Sequence, residues 1–209
     1  TMMGPPDNRG VNTRSLEALF ASSTARAHEI EDEVQVSILE IYNETIRDLL
    51  VPPKELEGKD YTIRQGENGM QSVADLKLFP VETKEDVGAL MATAEKHKTV
   101  KGTDMNERSS RSHTVFQLRI TATRQLRGDG PKQTLHGSLN LVDLAGSERL
   151  AKSCATGDRL KETQAINKSL SALGNVISAL TSPTATHVPY RDSKLTRLLQ
   201  SSLGGNAKT

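Results

Sequence analysis

Asn106-Glu-Arg-Ser-Ser-Arg-Ser-His113 and Leu141-Val-Asp-Leu-Ala-Gly-Ser-Glu148 are the two stretches that decide the fold of this 209-residue chain. Each stretch lies beside a predicted β-strand, and the second is an apolar strand that ends in a carboxylate. Ligands of α/β proteins bind at the carboxyl ends of strands. Asp143 could hold magnesium there through water, and Gly146 lets the backbone come close to a terminal phosphate. Together the two stretches predict a phosphate-sensing site.

Either stretch alone is weak evidence for such a site. Many strands end in an aspartate followed by a turn, and Ser109-Ser-Arg-Ser112 taken alone is best explained as a polar loop. The chain also lacks the P-loop pattern G-x-x-x-x-G-K-[ST], because its only Gly-Lys pair, Gly58-Lys59, is followed by Asp60. The sequence therefore contains phosphate sensors without the loop that grips a phosphate.

The remaining sequence alternates between predicted strands and helices. We predict helices at 14–21, after the capping box Thr83-x-x-Asp86, at about 158–182 and at about 192–204, and strands at 34–42, within 61–81, at 116–122 and at 135–144. The long helix is predicted to end at Pro183 and to turn six apolar side chains inward: Leu160, Ile166, Leu170, Leu173, Ile177 and Leu180. Gly204-Gly205 is predicted to end the last helix. The fold class is α/β.

Composition limits the partners. A net charge of +1 gives no global field of the kind that nucleic-acid or membrane binding requires, and three Phe, three Tyr and no Trp provide no platform for base stacking. No run of about 18 apolar residues predicts a membrane span. We therefore expect neither nucleic acid nor membrane as a partner, and any electrostatic partner must be recognised by a local cluster of charges.

Taken together and in order, the sequence motifs of this chain resemble those of the kinesin motor domain from residue 1 to residue 209. The family's switch I reads N-x-x-S-S-R-S-H and its switch II reads D-L-A-G-S-E. Three further kinesin-like phrases are Glu40-Ile-Tyr-Asn-Glu44, Ile166-Asn-Lys-Ser-Leu170 and His187-Val-Pro-Tyr-Arg-Asp-Ser-Lys194. The resemblance implies one partial motor domain: switch I at 106–113, switch II at 143–148, a relay helix at about 158–182, and a microtubule-binding loop and helix at 187–204. The implied fold is that of the kinesin-type P-loop NTPases, a mixed central sheet flanked by helices and truncated at both ends.

The resemblance implies ATP and Mg²⁺ as cofactors and a microtubule-stimulated ATPase as the activity of the intact domain. The implied nucleotide-binding residues are Asn106, Ser110, Asp143 and Gly146, with Ser110 and Asp143 around the metal, partly through water. The implied catalytic residues are Ser109, Ser110, Arg111 and Glu148. In this scheme Arg111 and Glu148 form the ion pair that closes the site and relays a proton from the attacking water, which is plausible because Arg–carboxylate contacts are strong and oriented.

A basic stretch near the C-terminus predicts a second functional surface. Residues 187–209 contain four basic side chains and one acidic side chain, and Arg191, Lys194 and Arg197 are spaced by three. Such a stripe is usually only a solvated face. By resemblance it binds the microtubule together with Arg149 and Lys152, and Asn167 couples filament binding to the switches. Attraction to acidic tubulin would depend on salt.

The resemblance also implies where the match ends. Thr1-Met2 corresponds to the residues that follow the family's P-loop, so we expect a truncated motor that alone is inactive and does not fold stably. Leu160-Lys-Glu-Thr-Gln164 is most similar to the C-terminal-motor kinesins, which move toward the minus end. The implied parent dimerises through a coiled coil outside this chain and is located in the cytoplasm on microtubules, with the spindle as one candidate.

Two other functions stay open at the level of sequence. One is a non-catalytic microtubule-binding protein derived from a kinesin motor, which the sequence before Thr1 would distinguish. The other is a P-loop GTPase, which shares D-x-x-G. The GTPase reading ranks last, because Asn167-Lys168 is followed by Ser169-Leu170 and not by the base-reading pattern N-K-x-D.

Overall fold

The structure is a computed structural model that describes residues 2, 7–66, 69–99, 111–125, 131–146 and 158–209, without the side chains of 158–161. In chain order the helices are α1 (Val11–Arg26), α2 (Lys84–Thr99), α3 (Asp158–Thr181), α4 (Lys194–Leu198) and α5 (Gln200–Leu203). The strands are β1 (Ile30–Tyr42), β2 (Thr45–Asp48), β3 (Ile63–Gln65), β4 (Gln71–Val73), β5 (Phe79–Val81), β6 (His113–Gln125) and β7 (Lys132–Asp143). Short 3₁₀ turns occupy Pro53–Leu56 and Tyr190–Asp192.

The main sheet has five strands, four of them in the order β2-β1-β6-β7. Strand β6 pairs with β1 along most of its length, so β2 and β5 share the opposite edge of β1. Strands β3 and β4 form a separate small sheet within 61–81, where the sequence predicted strands. All these pairings are antiparallel, so the parallel strands that a mixed sheet requires are not among the described pairs. The alternation of helices with strands confirms the α/β class.

Alternating side chains of the central strands supply two cores. Val34, Val36 and Ile38 face α1 and α2, whereas Leu39 and Ile41 face the opposite side of the sheet. On that second side they pack with residues of the small sheet and of α3 and α4: Ile63, Val73, Leu173, Leu195 and Leu198. Because successive side chains of a strand point to opposite faces, β1 is buried on both faces. The molecule therefore has helices on both sides of the sheet.

The hairpin that joins β1 to β2 is a two-residue turn with positive φ at both Asn43 (49°) and Glu44 (56°). Paired positive φ values are typical of the type I′ turn, which matches the twist of hairpin strands. Glycine or asparagine tolerates this conformation better than glutamate does. The carboxylate of Glu44 accepts a hydrogen bond from the Lys194 backbone N–H at 2.8 Å, and this contact fixes the hairpin against the start of α4.

Two predictions about the helices were wrong. Ile177 and Leu180 do not face inward, because 47% and 38% of their surfaces are exposed. The buried side chains of α3 are those of Thr163, Ile166, Ser169, Ala172 and Val176. Two of them, Thr163 and Ser169, are polar, and hydrophobic periodicity cannot detect these. The predicted last helix is two short helices separated at Leu199, whose ψ is near zero while its side chain is buried.

Two local predictions were confirmed. The Thr83 hydroxyl accepts a hydrogen bond from the Asp86 N–H at 3.2 Å, and the Asp86 carboxylate accepts one from the Thr83 N–H at 2.9 Å. This reciprocal pair is the capping box that begins α2. Gly204 and Gly205 end the last helix, with φ of +69° at Gly205. Within the described residues, no helix is both long and apolar enough to cross a membrane.

Candidate functional site

The start of β6 and the end of β7 meet at one edge of the sheet. In the antiparallel register Thr114 is opposite Asp143, and Val115 is opposite Val142. The residues that precede β6 and those that follow β7 therefore emerge side by side. This pairing brings together the described parts of the two predicted phosphate sensors, Arg111–His113 and Leu141–Gly146.

His113 joins this edge to helix α3. Its imidazole is 3% exposed and accepts a hydrogen bond at Nδ1 from the Ala145 backbone N–H, at 3.0 Å. Since Nδ1 must carry a lone pair, the neutral ring has its proton on Nε2, which lies 2.8 Å from the Ser169 Oγ. The Ser169 hydroxyl in turn donates to the carbonyl of Ile166 at 2.8 Å. Burial lowers the pKa of His113, which favours this neutral form.

Arg111 forms an ion pair with Glu162 of helix α3. The Arg111 Nη1 lies 3.1 Å from the Glu162 Oε2, and each side chain is 13% exposed. The guanidinium has five N–H donors, so the pair leaves Arg111 capable of further contacts. The predicted partner Glu148 lies outside the described residues. Glu162 therefore orients the arginine of the first motif from a third element.

Asp143 and Gly146 are exposed at the same edge of the sheet, while Ala145 between them is buried. Asp143, Lys98 and Thr114 line one cavity, and the Lys98 Nζ donates to the Thr114 Oγ1 at 2.9 Å. An exposed carboxylate beside an exposed glycine backbone suits a hydrated magnesium ion and a phosphate. Among the described residues, no three His, Cys, Asp or Glu side chains cluster as a metal cage. Magnesium fits this arrangement, because it binds through few carboxylates, water and phosphate oxygens.

The basic surface lies on α4 and the 3₁₀ turn before it. Arg191 and Arg197 are exposed and Lys194 is partly buried, whereas Leu195 and Leu198 of the same helix are buried in the second core. The Ser193 hydroxyl caps α4 by accepting the Thr196 N–H at 3.1 Å, and Arg197 Nη2 donates to the Ile63 carbonyl at 3.0 Å. This surface is held by the small sheet, by the Glu44 hairpin and by α3, which packs against α4.

Several predicted site residues lie outside the described part of the chain. These are Asn106, Ser109, Ser110, Glu148, Arg149 and Lys152. Asn167 lies on α3, partly buried, two residues before Ser169. The structure thus brings together Arg111, Asp143 and Gly146 at the sheet edge.

A family model described as the kinesin motor domain matches residues 1–209. This chain belongs to the kinesin motor domain family. A curated relative is the kinesin-like protein KIN-14C of Arabidopsis thaliana, which is 50% identical across the whole of this chain. The chain spans 28% of the length of that protein.

Solved kinesin structures share the fold. The chain superimposes with a TM-score of 0.85 and 39% identity on the C-terminal motor and motor homology domain of Kar3Vik1, fused to a synthetic heterodimeric coiled coil. It superimposes with a TM-score of 0.87 and 39% identity on KIF14 with ADP in complex with a microtubule. Each match covers 100% of this chain, and 52% and 60% of those chains respectively. The predicted likeness to C-terminal-motor kinesins and the kinesin-type P-loop NTPase fold are confirmed.

Two residues of α3 that contact Arg111 and His113 were missed at the level of sequence. Glu162 was used only as part of a subgroup phrase, and Ser169 only as part of a family phrase. They lie 51 and 56 residues from their partners Arg111 and His113, and no local periodicity connects such distant positions. The available signal was that Glu162 and Ser169 are seven residues apart, about two helical turns, so that both lie on the same side of α3.

Proposed function

We propose that this chain is the nucleotide-sensing and filament-binding part of an ATP-driven microtubule motor, whose complete form is a microtubule-stimulated ATPase. The observation that supports the proposal is the β6–β7 register, which brings the described residues of the two motifs, Arg111–His113 and Leu141–Gly146, to one edge of the sheet. Helix α3 contacts that edge through Ser169 and also packs against α4, which bears the basic surface. A site for nucleotide and a surface for a filament thus share one helix.

ATP with Mg²⁺ is the proposed ligand of the sheet edge. Asn106 and Ser110 would contact the nucleotide, and Ser110 and Asp143 would hold the metal, Asp143 partly through water. The exposed Gly146 would direct its backbone N–H to the terminal phosphate. When bound, the metal neutralises charge on the phosphate oxygens, so the protein's part is mainly positioning.

The proposed catalytic residues surround the attacking water. Ser109 and Ser110 would hold that water, and the ion pair of Arg111 with Glu148 would close the site and help relay a proton from the water. Glu162 supports this role by fixing the guanidinium of Arg111 at 3.1 Å in a setting where both side chains are 13% exposed. An arginine held in this way loses less conformational entropy when the site closes.

Acidic tubulin is the proposed partner of the basic surface. Arg149, Lys152, Arg191, Lys194 and Arg197 would contribute several weak ion pairs, and their sum would fall as salt rises. Asn167 would couple filament contact to the switches. The likeness to KIF14, solved in complex with a microtubule, supports this partner.

The likeness to Kar3Vik1 and KIN-14C supports two further proposals. The parent protein moves toward the minus end, and it dimerises through a coiled coil that this chain does not contain. It would therefore be located in the cytoplasm on the microtubule cytoskeleton. Tracking single dimers on polarity-marked microtubules tests the direction, and plus-end movement would contradict it.

The decisive experiment measures ATP hydrolysis and microtubule pelleting by the complete parent motor. We expect hydrolysis to be stimulated by microtubules in the wild type and abolished in Gly146→Ala, with pelleting retained. Gly174→Ala is the matched control, because Gly174 lies on α3 with open space where a Cβ would be added. Pelleting without any stimulated hydrolysis in the wild type would instead identify a non-catalytic microtubule-binding protein.

A further inference from the structure

The imidazole of His113 hydrogen-bonds both to the backbone of Ala145, between Asp143 and Gly146, and to Ser169 of helix α3. We propose that His113 and Ser169 form a positioning pair, which transmits the position of α3 to the backbone N–H groups at Ala145 and Gly146. The inference rests on the proposed function and deepens it. It assigns the coupling to a defined pair of hydrogen bonds.

The hydrogen bonds of this pair have a single possible direction. The Ala145 N–H can only donate, so Nδ1 accepts and Nε2 donates to Ser169, whose own proton goes to the Ile166 carbonyl. Each proton of this buried chain therefore has an acceptor. A hydroxyl that already donates within its helix cannot reverse its role, so the imidazole must follow Ser169 or lose a partner.

The distances set how far α3 can move before the pair breaks. The Nε2–Oγ distance is 2.8 Å, and a hydrogen bond is no longer present at about 3.6 Å. A shift of α3 by about 1 Å relative to β6 therefore either breaks the bond or carries the ring with it. Since Nδ1 holds the Ala145 N–H, a displaced ring displaces the backbone next to Gly146.

Close to Ser169, helix α3 also contacts the helix that bears the basic surface. Leu173, one turn after Ser169, packs in the same cluster as Leu195 and Leu198 of α4. Filament binding at Arg191, Lys194 and Arg197 would press on α4 and reach Ser169 through this contact. A purely structural buried pair would need no such continuity between the two functional surfaces.

The test compares variants of the complete parent motor that cut one bond each. Ser169→Ala removes the acceptor for Nε2, and Ser169→Thr keeps a hydroxyl at that position. His113→Asn keeps an acceptor near Nδ1 and loses the Nε2 donor, so it cuts the same bond from the other side. Ser171→Ala is the matched control, because Ser171 is exposed on the same helix.

We expect Ser169→Ala and His113→Asn to lower microtubule-stimulated kcat about tenfold, as the loss of about 1.4 kcal/mol in the coupled state would. Basal hydrolysis by Ser169→Ala and the microtubule concentration for half-maximal stimulation should stay within about twofold of wild type. Ser169→Thr should restore stimulation, and Ser171→Ala should not affect it. The double variant should be no worse than either single one, because both changes cut one bond.

Two results would overturn the inference. Stimulation by Ser169→Ala equal to wild type would show that the pair transmits nothing. An equal fall in basal and stimulated hydrolysis, with their ratio unchanged, would show a merely structural role. Should Ser169→Ala fail to fold, the ratio measured for His113→Asn decides in the same way. A wild type that microtubules do not stimulate would refute the proposed function itself, which separates the two failures.

Discussion

Two ion pairs of this chain are nearly equal in length but differ in burial. Together they test how much burial increases the contribution of an ion pair to the free energy of unfolding. Arg111 Nη1 lies 3.1 Å from Glu162 Oε2, with both side chains 13% exposed. Arg124 Nη2 lies 3.0 Å from Glu29 Oε2, with exposures of 53% and 51%. Glu162→Gln and Glu29→Gln are matched changes, because each keeps the size of the side chain and a carbonyl oxygen while it removes one charge.

The expected magnitudes follow from burial. Exposed ion pairs contribute about 0–1 kcal/mol, whereas breaking a fully buried pair costs about 3–5 kcal/mol. Hydrogen bonds to charged groups contribute about 1.5–3 kcal/mol. Because Glu162 is mostly but not fully buried and glutamine keeps an acceptor, we expect a loss of about 2 kcal/mol for Glu162→Gln. For Glu29→Gln we expect a loss below about 0.5 kcal/mol.

Urea unfolding of the complete motor domain measures both losses. The midpoint should fall for Glu162→Gln while the slope m stays unchanged, because the surface exposed on unfolding is the same. A cycle with Arg111→Gln should give a coupling energy of about 1–2 kcal/mol between Arg111 and Glu162. Equal losses for the two glutamine variants, or a coupling near zero, would refute the argument that burial makes the Arg111 pair the stronger one.

Two further predictions concern His113 and Glu44. Burial lowers the pKa of His113 below its value of about 6.5 in the unfolded chain. The contribution of neutral His113 to the free energy of unfolding is therefore present above pH 6.5 and is lost as pH falls through the folded pKa. The unfolding free energies of wild type and His113→Asn should converge on acidification, and a pH-independent difference would contradict this. Glu44→Gly should cost little stability, because glycine adopts the positive φ of 56° without strain. It should weaken microtubule pelleting, because the Lys194 N–H at the start of α4 loses its acceptor. A large loss of stability with unchanged pelleting would show that the hairpin contact serves only the fold.

The elements of this chain that are formed by contacts between residues close in sequence were predictable from the sequence. The capping box at Thr83 and Asp86 uses residues three apart, and its side-chain bonds form as the pattern predicts. The pairing of β6 with β7 follows from two alternating strands that are close in sequence. In each case the groups that interact are brought together by the local geometry of the backbone.

The buried face of α3 was not predictable in the same way. Hydrophobicity alone assigned Ile177 and Leu180 to the core, but they are 47% and 38% exposed, whereas Thr163 and Ser169 are buried. A buried hydroxyl is stable only where it has hydrogen-bond partners. Those of Ser169 are His113 and the carbonyl of Ile166, and the first is 56 residues away. No property of the helix sequence by itself contains that information.

The hydrogen bonds of His113 and Ser169 connect three separate sequence motifs in one buried network. His113 belongs to the proposed switch I, Ala145 to the proposed switch II and Ser169 to helix α3, and each lies in a different sequence motif. His113→Leu would leave the buried Ala145 N–H unpaired, at a cost of about 1–3 kcal/mol, whereas the Ser169 hydroxyl would still donate to the Ile166 carbonyl. Adding Ser169→Ala would recover little of this loss, because the Ala145 N–H cannot be removed by changing a side chain. The imidazole at position 113 is therefore constrained most strongly by the backbone of the second switch, and the helix contact is the part that can be varied independently.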